Sequence, residues 1–178
     1  NLGTALAALI CEGLTPSQED VQAALDDLSL PVGRWRVERV ANVQFVDEAY
    51  NANPTSTVAS FDAFMQVESD RPRVVVIGEM LELGDTAEQQ HVDVARRIAA
   101  ADGVDALLVV GPYAEAMADA ASEAVETYPF EDAAGAGEWL ARFASDGDDV
   151  LVFLKGSRGA RLEDVIEHAR EALDDDRH

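Results

Sequence analysis

The sequence predicts an α/β protein: a Rossmann-like, mostly parallel sheet with helices on both faces. Short runs rich in Val, Ile and Leu alternate with longer segments of helical periodicity. This alternation is typical of buried parallel strands joined by right-handed helical crossovers. Apolar residues make up 48% of the 178 residues, which is enough for a substantial core.

The first thirty residues are apolar in helical spacing and contain no strand pattern. A helix is expected over residues 2–12, and a second begins at the capping box Thr15-Pro16-Ser17-Gln18 and ends before Pro31. Nothing in this stretch covers the apolar faces of the two helices. We therefore expect them to be the end of a preceding domain, so that the chain divides into residues 1–31 and 32–178.

From Arg34 onwards the apolar residues recur at every second position, which predicts a hairpin that opens the sheet. Its strands contain Trp35, Val37 and Val40 and then Val43–Val46. Further strands are expected at residues 74–77, 106–110, 128–130 and 150–154. Helices are expected at about 55–68, 87–101, 113–124, 134–144 and 160–173, the second of them opened by a capping box of Thr86 and Gln89.

The charge of the chain argues against a nucleic-acid-binding protein. Thirteen Lys and Arg residues oppose 35 Asp and Glu, giving a formal charge of −22, whereas binding along a phosphate backbone needs clustered cations. So strong an acidic excess predicts a salt-adapted source. The single cysteine, Cys11, excludes an internal disulfide. The apolar runs are shorter than the roughly 18 residues of a membrane helix, and we expect a cytoplasmic protein.

Ligands of open parallel sheets bind beyond the carboxyl ends of the strands, and the loop after the second predicted strand is strongly polar. It reads Asp47-Glu48-Ala49-Tyr50-Asn51-Ala52-Asn53-Pro54. A helix cap explains Asn53 and Pro54 without any ligand. Capping does not require the other polar residues, and carboxylates at a strand end can accept hydrogen bonds from a ribose.

A second candidate loop, Lys155-Gly156-Ser157-Arg158-Gly159, contains the only lysine of the chain. Two cations, a hydroxyl and two glycines just before a helix can hold an anionic group, although a solvated surface loop is the alternative. A third loop, Gly78–Gly84, contains Glu79 and Glu82, which suit acid–base chemistry, Mg²⁺ binding or a solvated surface. The sequence contains neither a Walker A motif nor a Gly-x-Gly-x-x-Gly fingerprint.

Taken together, these motifs resemble those of the Mur ligases of peptidoglycan synthesis, and most closely the branch that adds a dipeptide. The string Asp47–Pro54 is similar to the family signature Asp-Asp-Ser/Ala-Tyr-Asn-Ala-Asn-Pro, with Glu48 in place of the second Asp. The other matching segments are Asn1 with Ala5–Ala8, the hinge pair Gly33-Arg34, Gly78–Gly84 with His91, and Lys155–Gly159.

The resemblance implies two groups of binding residues. The nucleotide-binding residues would be Asn1 at the adenine, Arg34 at the phosphates, and Asp47 and Glu48 at the ribose. The residues that receive the dipeptide substrate would be Tyr50, Asn51, Asn53, Lys155, Ser157 and Arg158. No catalytic residue and no metal ligand is expected within this chain.

The activity that the resemblance implies is ATP-dependent amide formation. The carboxylate of UDP-N-acetylmuramoyl-tripeptide is phosphorylated, and the amine of D-alanyl-D-alanine then attacks the resulting acyl phosphate and displaces phosphate. ATP and Mg²⁺ would be bound mainly by a central domain upstream of Asn1, to which residues 1–31 would belong. Residues 32–178 would be the C-terminal domain, and we expect the 178-residue chain to be inactive when isolated.

Two alternatives remain open. One is another ligase of the same superfamily, either a diaminopimelate-adding enzyme or one similar to folylpolyglutamate synthase. The string Tyr50-Asn51-Ala52-Asn53 and the absence of an Asn-Pro-Arg element speak against the diaminopimelate enzyme. The other alternative is a non-catalytic α/β module that only binds a ligand. A phosphate-binding Gly-x-x-Gly-Lys-Thr/Ser segment encoded upstream would favour a ligase.

Overall fold

The computed structural model describes residues 17, 19, 33–145 and 147–175. The chain divides into two compact units, Asn1–Leu30 and Pro31–His178, and the second is described here. Within residues 1–31, only Ser17 and Glu19 are described. The rest of the two predicted helices and of the capping box lies outside the described residues, as do Asn1 and Cys11. The assignment of residues 1–31 to another domain therefore stays a prediction.

Strands and helices alternate along the second unit, which confirms the predicted α/β class. The strands are β1 Arg36–Val40, β2 Val43–Asp47, β3 Arg73–Ile77, β4 Ala106–Val110, β5 Glu126–Phe130 and β6 Val150–Lys155. The helices are α1 Pro54–Met65, α2 Ala87–Ala99, α3 Ala114–Ala121, α4 Ala133–Ala144 and α5 Glu163–Asp175. Short 3₁₀ turns, Gly84–Thr86 and Arg158–Ala160, precede α2 and α5.

The six strands form one sheet in the order β1-β2-β6-β3-β4-β5. Only the pairing of β1 with β2 is antiparallel. The last strand, β6, thus lies between β2 and β3, with Leu154 beside Asp47 and Lys155 beside Ile77. The carboxyl ends of these three strands, and the polar loops that follow them, are therefore neighbours.

Two apolar clusters, one on each face of the sheet, form the core. Helices α1, α2 and α3 pack on one face, where Phe153 of β6 stacks on Phe64 of α1 with 5.1 Å between ring centroids. Helices α4 and α5 cover the other face, where Leu140 and Val165 pack against the sheet. Strands β3, β4 and β6 are buried on both faces, which explains why their sequences are continuous apolar runs.

Several local predictions were wrong. Trp35 precedes β1 in a left-handed conformation, and Val37 is 54% exposed on this edge strand. Helices α1 and α3 each end three residues before the predicted end, and α5 begins three residues after its predicted start. Thr86 forms no capping box, because the 3₁₀ turn leaves its backbone non-extended; its hydroxyl donates to Leu83 O and accepts from Gln90 Nε2.

Over the described residues, no helix is both long enough and apolar enough to cross a membrane.

Candidate functional site

The loops that follow β2, β6 and β3 are joined by backbone hydrogen bonds. The Glu48 amide donates to Leu154 O at 3.0 Å, and the Gly78 amide donates to Lys155 O at 2.9 Å. Beyond the sheet, the Ser157 amide donates to Glu79 O at 2.8 Å. The structure therefore brings the three loops that the sequence singled out onto one surface.

Asp47 and Gly33 determine where Arg34 lies. The buried Asp47 carboxylate accepts from the Gly33 amide at 2.9 Å and from the Ala49 amide at 3.0 Å. The Tyr50 amide in turn donates to Gly33 O at 2.9 Å. Gly33 has φ +73°, and a Cβ there would lie 2.6 Å from Tyr50 N, so only glycine fits. This crossing of two backbone segments holds Arg34 beside Tyr50.

The Lys155 side chain is only 3% exposed and is bonded to the loop after β2. Its ammonium group donates to Glu48 O at 3.2 Å and to Asn51 O, and lies 3.7 Å from the Glu48 carboxylate. Burial lowers the pKa of Lys155, and the Glu48 charge opposes that shift. The only lysine of the chain thus holds the segment that carries Tyr50.

Asn53 is the N-cap of α1. Its side-chain oxygen accepts from the Ser56 amide at 2.9 Å, the Ser56 hydroxyl accepts from the Asn53 amide at 3.1 Å, and Pro54 opens the helix. The capping interpretation of Asn53 and Pro54 is therefore sufficient to explain both residues. Asn51, by contrast, is exposed on the loop before the helix. A substrate contact from either asparagine stays a prediction.

Ser157 links all three loops from a buried position. Its hydroxyl accepts from the Leu81 amide at 2.9 Å and is 3.4 Å from Ala52 O, to which it donates. Gly156 allows this close packing, because a Cβ there would lie 2.8 Å from the Leu162 side chain. Ser157 thus contributes to the position of the loops and does not face solvent.

The hydrogen bonds of His91 are those of a structural residue that supports the third loop of the site. Its Nε2 accepts from the Met80 amide at 2.8 Å, and its Nδ1 donates to Ala87 O at 2.7 Å, an arrangement that requires the neutral ring. Burial lowers the pKa of His91, against opposing effects of the Ala87 carbonyl and Glu79. The ring stacks on Tyr113 at 4.4 Å. The hydrogen bond between His91 and the third loop was not predicted from the sequence. The one signal for it was that His91 and Gly78–Gly84 belong to the same family motif.

Arg34 and Arg158 are the exposed cations of the site. The guanidinium carbon of Arg34 lies 4.3 Å from the centroid of the Tyr50 ring, and that of Arg158 lies 5.7 Å from the same centroid. Both distances fall within the range of cation–π contacts. Tyr50 is itself 41% exposed. Residues from three loops thus present two positive charges and one aromatic ring to solvent.

The exposed side chains of the site have the chemistry to bind part of a nucleotide. Two exposed guanidinium groups suit phosphate oxygens, and the partly exposed Glu48 carboxylate suits a hydroxyl. In the part of the chain that the structure describes, no three His, Cys, Asp or Glu side chains are close enough to hold a metal ion. Glu79 and Glu82 are therefore not part of such a cluster.

Comparison with characterised proteins gives relatives for almost the whole chain. It is 31% identical over 175 residues to the UDP-N-acetylmuramoyl-tripeptide–D-alanyl-D-alanine ligase of Escherichia coli K12, covering 96% of this chain and 37% of that protein. A crystal structure of MurF from Acinetobacter baumannii superposes with a TM-score of 0.76 and 30% identity, over 94% of this chain and 36% of that one. The chain thus spans little more than a third of these relatives.

The two alternative ligases share the fold alone. A folylpolyglutamate synthase from Thermotoga maritima superposes with 16% identity, and a UDP-N-acetylmuramoyl-L-alanyl-D-glutamate–2,6-diaminopimelate ligase with 17%, both with TM-scores of 0.57. Residues 33–158, which include every described loop of the site, match the family described as "Mur ligase, glutamate ligase domain". This match covers most of the chain, and the protein belongs to the Mur ligase family.

Proposed function

We propose that this chain is the C-terminal part of a cytoplasmic ligase that uses ATP to join D-alanyl-D-alanine to UDP-N-acetylmuramoyl-tripeptide, with residues 32–178 as its C-terminal domain. The observation that carries the proposal is the contact between the Asp47–Pro54 loop and the loop after β6. The first loop has the signature of the dipeptide-adding branch. The relatives that carry this activity in their names support the same assignment.

In such a reaction ATP would supply the phosphoryl group that activates the tripeptide carboxylate for attack by the dipeptide amine. Phosphate would then be the leaving group. The residues of this chain would position the reactants and neutralise their charge. Arg34 is exposed, and the amide of the preceding Gly33 is held by Asp47, so that the Arg34 guanidinium group is available to phosphate oxygens. Glu48 would accept hydrogen bonds from the ribose. Closure of this domain over a central domain would exclude water from the reacting groups.

We assign the buried residues a different role from the one that the resemblance implies for them. Lys155 and Ser157 donate to backbone carbonyl oxygens within the protein. A dipeptide could reach the Lys155 ammonium group only if these bonds were broken. We therefore assign Lys155 and Ser157 to the support of the acceptor-binding loop, and the direct dipeptide contacts to the exposed Tyr50 and Asn51.

The test is an acceptor assay with the complete ligase that contains this chain. Purified enzyme is given ATP and Mg²⁺ with one of three matched substrate pairs, and phosphate release is measured. The pairs are UDP-N-acetylmuramoyl-tripeptide with D-alanyl-D-alanine, UDP-N-acetylmuramoyl-L-alanyl-D-glutamate with diaminopimelate, and a folate with glutamate. The proposal requires release that depends on D-alanyl-D-alanine. Release with either other acceptor alone would favour the corresponding ligase, and no release with any of them would favour a binding module.

The same assay tests the role of Arg34. Replacing Arg34 by Ala removes a charge-assisted contact worth about 1.5–3 kcal/mol, so we expect the ligation rate to fall at least tenfold. Arg39→Ala is the matched control, because Arg39 is an exposed arginine paired with Asp149 far from the site. Equal rates for Arg34→Ala and the control would remove Arg34 from the reaction.

A further inference from the structure

Arg34 and Arg158 differ from the other arginines that the structure describes. Each of those others donates to a carboxylate or to an amide, hydroxyl or carbonyl oxygen of the chain. Arg34 and Arg158, within the described part of the chain, contact only the Tyr50 ring. In a protein with 35 acidic residues against 13 basic ones, two arginines without a carboxylate partner among the described residues are unexpected.

The two guanidinium groups also share one aromatic neighbour. Both lie within cation–π distance of one ring centroid, so their separation cannot exceed the sum of the two distances, 4.3 and 5.7 Å. Like charges at such a separation repel each other. The negative face of the Tyr50 ring offsets part of that repulsion, and an anion bound between the groups would offset more.

The charge of the pair identifies the class of anion. A single carboxylate, such as that of a dipeptide, is matched by one bidentate guanidinium group. Two guanidinium groups beside one ring suit an anion with two or more charges and several acceptor oxygens, which describes a phosphate ester. The two arginines come from loops on either side of Tyr50, before β1 and after β6, so both loops must be in place for the pair to form.

We infer that Arg34 and Arg158 together bind one phosphate group, with Tyr50 as the platform that sets their spacing. Arg158 thereby moves from the dipeptide-binding residues to the phosphate-binding residues. The inference deepens the proposed function and rests on it for the source of the phosphate, either the nucleotide or the phosphorylated tripeptide. The site itself is a property of the 178-residue chain.

The experiment is an NMR titration of the 178-residue chain with inorganic phosphate, pyrophosphate and, separately, D-alanyl-D-alanine. Ionic strength is held constant so that the salt screens the −22 charge of the chain equally in every titration. We expect pyrophosphate and phosphate to shift the Tyr50 and arginine side-chain signals. Arg34→Gln and Arg158→Gln should each weaken binding by about tenfold. The double variant should bind little worse than either single one, because the two-point contact is already lost.

Controls separate this site from general attraction of anions. Arg39→Gln removes an exposed arginine of the same charge elsewhere and should leave phosphate affinity unchanged. Tyr50→Phe keeps the aromatic ring and should bind like the wild type, whereas Tyr50→Leu should weaken binding. Circular dichroism of each variant verifies that it is folded.

Three results would overturn the inference: no phosphate binding by the wild type, wild-type affinity in Arg158→Gln, or displacement of pyrophosphate by D-alanyl-D-alanine. The last would show that the pair binds carboxylate. None of these outcomes predicts which substrate the ligase assay will identify. The phosphate site and the proposed function are therefore tested independently. With the complete ligase, competition by a nucleotide or by the tripeptide substrate then identifies the source of the phosphate.

Discussion

Two groups of side chains at the same edge of the sheet have opposite surroundings. The inner cluster consists of Asp47, His91, Lys155 and Ser157, which are buried and bonded to backbone groups of neighbouring loops. The outer cluster consists of Arg34, Tyr50 and Arg158, which are exposed, with both arginines contacting the Tyr50 ring. Both contain residues that a sequence motif would assign to ligand binding.

The comparison teaches that one motif can contain both supporting residues and binding residues. A buried side chain whose hydrogen-bonding groups are already satisfied contributes to loop geometry, and losing it should lower stability first. An exposed cation without a protein partner contributes little to stability, and losing it should lower affinity first. The following predictions test that division, from the largest expected effect on stability to the smallest.

Lys155→Ala should lower the free energy of unfolding by about 3 kcal/mol, because it removes a buried ammonium group and leaves two carbonyl groups without their donor. Chemical denaturation with urea measures the change. Arg39→Ala, at an exposed ion pair, is the control and should change stability by less than about 1 kcal/mol. If Lys155→Ala were as stable as this control, the hydrogen bonds of Lys155 would not stabilise the loops.

Gly33→Ala should cost about 2 kcal/mol, because the backbone has φ +73° and the new Cβ would collide with Tyr50 N. Gly147→Ala is the matched control: it has φ +88° but nothing within 4 Å of the added Cβ. The difference in unfolding free energy between the two variants isolates the collision. If they were equally destabilised, the contact between Gly33 and Tyr50 would not constrain the outer cluster.

His91 should make the protein less stable in mild acid. The folded chain keeps the pKa of His91 below 6.5, so as the pH falls through 6.5 the unfolded chain takes up a proton that the folded chain does not. As the pH decreases, the free energy of unfolding therefore decreases by no more than about 1.4 kcal/mol per pH unit. The decrease ends once the pH is below the pKa of His91 in the folded state.

Urea titrations at a series of pH values, for the wild type and for His91→Gln, measure this effect. Glutamine can accept from Met80 and donate to Ala87 without titrating, so its profile should be flatter between pH 6.5 and the onset of carboxylate protonation. His168→Gln, at an exposed position, controls for the removal of an imidazole. Parallel profiles for the wild type and His91→Gln would contradict the assignment.

Salt should act on the surface and spare the inner cluster. With a charge of −22, self-repulsion is strong at low ionic strength, and we expect Tm to rise as KCl increases from about 0.05 M to about 2 M. The destabilisation caused by Lys155→Ala should stay nearly constant across the series, because buried charges are screened less. A flat or falling Tm would show that the acidic surface is not an adaptation to salt.

The fold could be predicted from the sequence because local patterns determine it. The apolar runs of β3, β4 and β6 are buried on both faces, as continuous Val, Ile and Leu runs predict. The edge position of β1 could not be predicted, since a strand's neighbours depend on pairing along the whole chain. The exposure of Val37 follows from that position.

The meeting of the candidate loops at one edge of the sheet was predictable, whereas the burial and hydrogen bonds of their side chains were not. Strand ends in a parallel sheet mark the site without further information. Whether Lys155 faces solvent or a carbonyl depends on how the loop after β2 folds over β6, which no local pattern contains. The convergence of Arg34 and Arg158 on Tyr50 likewise depends on the backbone crossing at Gly33.

The position of β6 has a consequence for synthesis on the ribosome. Strands β2 and β3 do not pair with each other, and each pairs with β6, which is made last. A nascent chain that has not yet released Val150–Lys155 therefore consists of a hairpin and a separate three-stranded sheet, each with an unpaired apolar edge. Lys155 and Arg158 arrive only with the strand that closes this gap. The binding surface is consequently completed late, and a chain truncated before β6 would be prone to aggregate instead of forming a weaker version of the site.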